Sequence, residues 1–267
     1  MSSITTSQGI LHYEAYGRGK PVILLHGWLG SWGLWQETMA YLGQYYRTYA
    51  LDFWGFGESG KKLDTYLVQD FVSLVDQFME QLGIVSAPLV GHSMGGTVSL
   101  SVAIQHPERA QKVVIIGSPV VGSSLAVALK FAGRPWVAKP LFTFFPVFRA
   151  AMRLASPFIC RNPRFPEMMD RDLSKTTVES FLTSIASLRY TDLRPDMEKI
   201  RVPVMGMFGD RDNIVSPKQW KVLKDCRPTA RIERYPTAGH FIMMDEPKIF
   251  MPVLKDFLDQ PVAQPYG

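Results

Sequence analysis

The stretch Pro88-Leu89-Val90-Gly91-His92-Ser93-Met94-Gly95-Gly96-Thr97 decides the fold of this chain. Its first half is a short apolar run ending in glycine. Its second half opens a series of small and apolar residues that continues to Ile104 and reads as a helix. A strand that turns directly into a helix forces unfavourable backbone angles on its central residue, so the flanking positions need small side chains. Such an elbow lifts Ser93 clear of the strand. It also aims the helix N-terminus at the serine, where backbone N–H groups meet a developing negative charge. An ordinary helix N-cap is the competing reading of Ser93, and the glycines on both sides of it speak for the elbow.

A serine hydroxyl is a poor nucleophile until a base takes its proton, and the base must be held by an acid. Downstream, Val202 to Phe208 reads as a buried strand followed by Gly209-Asp210-Arg211-Asp212, which places a carboxylate at a strand's C-terminal end. Arg231-Ile232-Glu233-Arg234-Tyr235 alternates like a strand and leads into Thr237-Ala238-Gly239-His240-Phe241, a histidine on a glycine-containing loop. The other histidines compete less well. His12 falls on an early edge strand, His106 precedes Pro107 at a helix end, and His26 and His92 sit beside the pocket, where structural hydrogen bonding is expected.

The chain order Ser93, Asp212, His240 resembles that of the α/β-hydrolases, in particular the esterase, lipase and haloperoxidase-like branch. Further motifs carry the resemblance: His26-Gly27-Trp28 after the apolar run Pro21 to Leu25, like the family's oxyanion loop, and Asp52-Phe53-Trp54-Gly55-Phe56-Gly57-Glu58-Ser59, like its turn after the next strand. The resemblance implies an α/β fold: a mostly parallel, eight-stranded α/β-hydrolase sheet covered by helices on both faces, with a helical cap insertion. It further implies Ser93 as nucleophile, His240 as base and Asp212 as acid, three residues after Gly209, in preference to Asp210. The oxyanion is then held by the backbone N–H groups of Trp28 and Met94, and Trp28, His92, Phe142 and Phe145 contact the substrate. Asp245 and Glu246 are read as favouring the start of the last helix.

Composition agrees. With 267 residues, 46% of them hydrophobic, the chain is long enough for one α/β domain with an insertion. Two cysteines, Cys160 and Cys226, exclude a disulfide framework, leave one bridge open, and suit a reducing compartment. The N-terminus lacks a basic region followed by an apolar core, so a cytoplasmic location is expected. Strands are expected at 10–16, 22–25, 47–51, 89–90, 113–116, 204–208 and 231–235, and helices at 34–42, 67–82 and 248–258. The tail 260–267 reads as frayed. No metal or cofactor is called for, and nothing resembles a phosphate loop or a nucleic-acid surface.

The core domain is expected to comprise 1–117 and 196–267, and the cap 118–195. From Ser118 to Pro166 the chain has no Asp or Glu, yet carries Lys130, Arg134, Lys139, Arg149, Arg153, Arg161 and Arg164; these seven account for the formal net charge of +5. Between them stand Phe131, Trp136, Leu141, Phe142, Phe144, Phe145, Val147, Phe148, Met152, Leu154, Phe158 and Ile159. One reading makes these the cap's own core facing the pocket, with cations outside. The other sets part of the cap on an anionic lipid surface. The first is preferred because a capped site needs an apolar lid.

The expected function is a serine hydrolase that cleaves carboxylic esters with an apolar acyl or alcohol part, a small-molecule substrate, through an acyl-enzyme. A C–C bond hydrolase or lyase using the same residues, or a non-catalytic ligand-binding relative, are the alternatives.

Overall fold

Runs such as Val22-Ile23-Leu24-Leu25 and Val113-Val114-Ile115-Ile116 are apolar at every position, as strands covered on both faces must be. In the computed structural model, which describes residues 2–61, 66–132, 134, 136, 140 and 142–261, both runs are fully buried strands. The strands are β1 (Ser2–Thr6), β2 (Gly9–Gly17), β3 (Pro21–Leu25), β4 (Arg47–Leu51), β5 (Ala87–His92), β6 (Ala110–Ile116), β7 (Val204–Gly209) and β8 (Arg231–Tyr235). They form one eight-stranded sheet in the order β1-β2-β4-β3-β5-β6-β7-β8. β1 and β2, and β2 and β4, pair antiparallel; all other neighbours are parallel. His12 therefore does not lie on an edge, because β2 is flanked by β1 and β4.

Alternate residues of each strand face opposite layers. Ile23 and Leu25 join the core beneath the helices Val68–Gln81 and Met94–Gln105. Val22 and Leu24 join the other core, beneath Gln36–Leu42 and Pro247–Asp259. Phe71, Leu74, Val75, Phe78 and Met79 recur at helical spacing along Val68–Gln81 and are all buried. Each contributes about 2 kcal/mol by leaving water.

Between β6 and β7 lie the helices Val127–Ala132, Phe145–Ala155, Phe165–Ser174 and Val178–Tyr190. This segment is tied back to the rest of the chain by polar contacts: Ser31 with Asp172 at 2.9 Å, Asn162 with the Met244 carbonyl at 3.1 Å, and ion pairs of Arg164 with Glu37 and Lys175 with Glu58. The apolar residues within it divide in a way the sequence does not reveal. Phe142, Phe145, Phe148 and Met152 are half-buried, whereas Phe131, Trp136, Phe144, Val147, Leu154 and Phe158 are exposed. An inward-facing cap core thus accounts for only part of them. Lys139, Leu141 and residues 262–267 lie outside the described residues. Cys160 and Cys226 are both free thiols. Among the described residues, no helix is long and apolar enough to cross a membrane.

Candidate active site

The sheet order reverses direction at β3: the chain moves outward to β4, then crosses back over β3 to β5. Open α/β sheets form a crevice at such a switch point, outside the carboxyl ends of the strands. The loops that follow β3, β5, β7 and β8 carry Trp28, Ser93, Asp212 and His240 to this crevice.

Ser93 links β5 to the helix Met94–Gln105 with φ +52° and ψ −119°, a backbone state that a residue with a side chain rarely adopts. The bend holds because its neighbours lack side chains. A Cβ on Gly91 would strike the Gly95 carbonyl, and one on Gly95 would strike the Leu25 carbonyl of β3. The Ser93 N–H is fixed by the Ile116 carbonyl of β6 at 2.8 Å. Met94 is the first residue of the helix, so its N–H has no acceptor within the helix. The loop after β3 runs alongside: a Cβ on Gly27 would come within 3.0 Å of the Ser93 Cβ. Two residues on, Leu29 has φ +59°, a second strained position in the same crevice.

Asp212 is buried in the turn after β7. Its Oδ1 accepts the N–H groups of Ile214 at 2.8 Å and Val215 at 2.9 Å. Its Oδ2 receives the His240 Nδ1 at 2.7 Å, both side chains being almost wholly excluded from solvent. Asp210 points elsewhere and forms a forked ion pair with Arg234 at 2.8 to 3.0 Å. With Nδ1 committed, the His240 imidazole has Nε2 left for the cavity that Ser93 also lines.

His26 and His92 are committed to structure. His26 donates from Nδ1 to the Gly27 carbonyl at 2.7 Å and accepts the Phe53 N–H at Nε2, 2.9 Å away. Burial lowers its pKa below the ordinary imidazole range. His92 bonds the His240 carbonyl through Nε2 at 3.1 Å, and burial together with the neighbouring His240 holds its pKa well below that range. His92 also lines the cavity. Asp245 does not act on the last helix as expected from sequence: it accepts the Gly239 N–H at 2.8 Å and the Arg161 N–H at 2.9 Å, pinning the loop that carries His240. Asp52 organises the turn after β4 by accepting from His12 at 2.8 Å, the Trp32 N–H at 2.6 Å and the Glu58 N–H at 2.9 Å.

Above Ser93 is a cavity of about 120 Å³. Trp28 walls it; its indole N–H donates to the Phe181 carbonyl at 3.2 Å and its ring packs on Phe181. Most of the other wall is aliphatic or aromatic, including Leu125, Met152, Phe165, Ile185 and Leu188. Phe142 and Phe145 are not part of the lining. They stack on each other, and Phe142 meets Phe181 edge-on, so they buttress the wall from behind.

Asp172 is the cavity residue that sequence reasoning missed. It shares one face of the helix Phe165–Ser174 with Phe165, Met168 and Met169, and among the described lining residues it is the one carboxylate. Its Oδ1 accepts the Ser31 hydroxyl and the Arg171 guanidinium, each at 2.9 Å, while Oδ2 is buried without a protein partner. Burial pushes its pKa up to about 6, against the opposing pull of Arg171 and Ser31. An acid whose pKa rises on folding is destabilising when ionised. That penalty is full above about pH 6 and fades as pH falls toward the ordinary carboxylate range.

The family model described as alpha/beta hydrolase fold matches residues 20–247. A pimeloyl-[acyl-carrier protein] methyl ester esterase from Vibrio campbellii is 24% identical over 262 residues, covering 92% of this chain and 98% of that protein. A 2-hydroxy-6-oxononadienedioate/2-hydroxy-6-oxononatrienedioate hydrolase from Comamonas testosteroni is 26% identical, covering 93% and 91%. Among solved structures, an esterase from Exiguobacterium antarcticum superposes with a TM-score of 0.84 at 20% identity, covering 97% of this chain and 99% of that one.

Proposed function

Because this chain belongs to the α/β hydrolase fold family, we propose that it is a serine esterase for carboxylic esters with an apolar acyl or alcohol part. The observation that carries the reading is the 2.7 Å bond from His240 to Asp212, with His240 and Ser93 on one apolar cavity. Ser93 Oγ attacks the ester carbonyl while His240 Nε2 takes its proton. Asp212 holds the imidazole in the tautomer that leaves Nε2 able to accept, and it stabilises the imidazolium. The Trp28 and Met94 N–H groups receive the oxyanion. His240 then protonates the departing alcohol, and a water deprotonated by the same imidazole releases the acid and restores Ser93. The domain division follows: 1–117 and 196–267 supply the machinery, and 118–195 forms the cap that roofs the cavity.

The largely aliphatic and aromatic lining favours an apolar acyl or alcohol group over a charged one. Asp172 adds a polar demand. Its unpartnered Oδ2 accepts a hydroxyl or amide N–H carried by the substrate, and the ester that brings one is preferred. The test compares two p-nitrophenyl esters of the same size, one with a hydroxyl on its acyl chain and one without. The wild type is expected to favour the hydroxylated ester by about 10- to 100-fold in kcat/KM. Asp172→Leu should bring this ratio down to near one. A leucine can neither accept from nor donate to the substrate hydroxyl, which then gains no partner at this wall. An unchanged ratio in the variant removes the polar demand. Failure on both esters, with cleavage of a 1,3-diketone, replaces the esterase reading with C–C hydrolysis. That second reading is kept because the Comamonas testosteroni relative is named a hydrolase of 2-hydroxy-6-oxononadienedioate, a keto acid and not an ester.

A further inference from the structure

The helix Phe145–Ala155 is apolar on both sides. Its inner face presents Phe145, Phe148 and Met152 toward the cavity and its supports, with Arg149 engaged by Asp170 at 2.7 Å. Its outer face, continued at each end, carries Phe144, Val147, Ala151, Leu154 and Phe158 at steps of three and four residues. Phe144, Val147, Leu154 and Phe158 are 65%, 67%, 79% and 82% exposed. A surface helix ordinarily turns polar residues outward, and a continuous exposed apolar stripe of this kind marks a surface that something covers.

The charges around the stripe identify the cover. No carboxylate occurs between Ser118 and Pro166. Arg153 stands on the same helix and, beside Leu154, lines the groove at its outer end. Glu167 is the acidic residue on the rim of the groove beside Leu154. A second copy of this chain is disfavoured as occupant, since a two-fold contact would bring two segments free of Asp and Glu together. An anionic bilayer satisfies both features, because apolar side chains enter the acyl boundary while cations meet the headgroups at about 1 kcal/mol each.

We propose that the face formed by Phe144, Val147, Leu154 and Phe158 docks on an anionic lipid surface and sets the cavity behind the helix against that surface. Docking does not depend on the esterase reading, so the two fail separately. The experiment is sedimentation of the full chain with phosphatidylcholine vesicles, with and without phosphatidylglycerol. Binding is expected only with the anionic lipid and should weaken as salt rises. The triple variant Val147→Glu, Leu154→Glu, Phe158→Glu should lose about tenfold or more in vesicle affinity. It should keep its melting temperature and its turnover of a water-soluble ester, because none of the three residues lines the cavity. Equal binding to both vesicle types, equal binding by the triple variant, or a concentration-dependent dimer that the triple variant abolishes without any vesicle binding would each overturn the proposal.

Discussion

Ser93→Ala is expected to lower ester turnover by about ten thousand- to a millionfold, to a level set by oxyanion binding and substrate positioning alone. The hydroxyl is the one nucleophile at the elbow, and His92 and Met94 beside it offer no oxygen to replace it. The fold should survive. Ser93 adopts φ +52° because Gly91 and Gly95 allow β5 to turn there, and alanine inherits the same backbone and the same strain. Steady-state kinetics alongside a thermal melt checks both halves. A variant that keeps a tenth of the activity, with the melt unchanged, would remove Ser93 from the reaction.

Asp212→Asn should cost nearly as much, about ten thousandfold in kcat near neutral pH, without displacing the loop. The Asp212 Oδ1 accepts the Ile214 and Val215 N–H groups, so the asparagine oxygen must occupy that place. Its NH₂ then donates to His240 Nδ1, where the carboxylate had accepted. The imidazole is forced to carry its proton on Nε2, the nitrogen that must receive the serine proton. The control is Asp210→Asn, which removes only an exposed ion pair with Arg234 and should leave kcat within about twofold. A larger loss at Asp210 than at Asp212 would reverse their roles.

Much of this was legible in the chain because it depends on neighbours in sequence. The seven strands expected from apolar runs and alternation all appear, and the glycines of Gly91-His92-Ser93-Met94-Gly95 sit where a side chain would strike the backbone. β1 was missed: Ser2-Ser3-Ile4-Thr5-Thr6 is a short polar edge strand that pairs, among the described residues, with β2. Its burial alternates weakly, so no hydrophobic pattern announces it. Asp172 was missed for a different reason. Its i, i+3, i+4, i+7 spacing with Phe165, Met168 and Met169 does set Asp172 on the apolar face of its helix, apart from Asp170, which pairs with Arg149, but that spacing does not show the carboxylate enclosed against Ser31. Only the way that helix leans on the loop after β3 decides it. Phe142 and Phe145 are expected at the substrate, but an aromatic run does not say which rings line a cavity and which stand behind Phe181.

The buried Asp172 also bears on why the cavity is shaped as it is. An ionised carboxylate held at a raised pKa is a stability penalty near neutral pH, and hydrophobic lining would avoid it. A residue kept under that penalty, with one oxygen fixed and the other free, suits recognition better than scaffolding.

Covalent capture by a fluorophosphonate, read by intact mass and peptide mapping, tests the hydrolytic account most directly. The proposed relay of Ser93, His240 and Asp212 predicts one adduct per chain, located on Ser93, absent from Ser93→Ala and formed far more slowly by Asp212→Asn. Sustained ester turnover with no adduct, or with the adduct on any other residue, would contradict it.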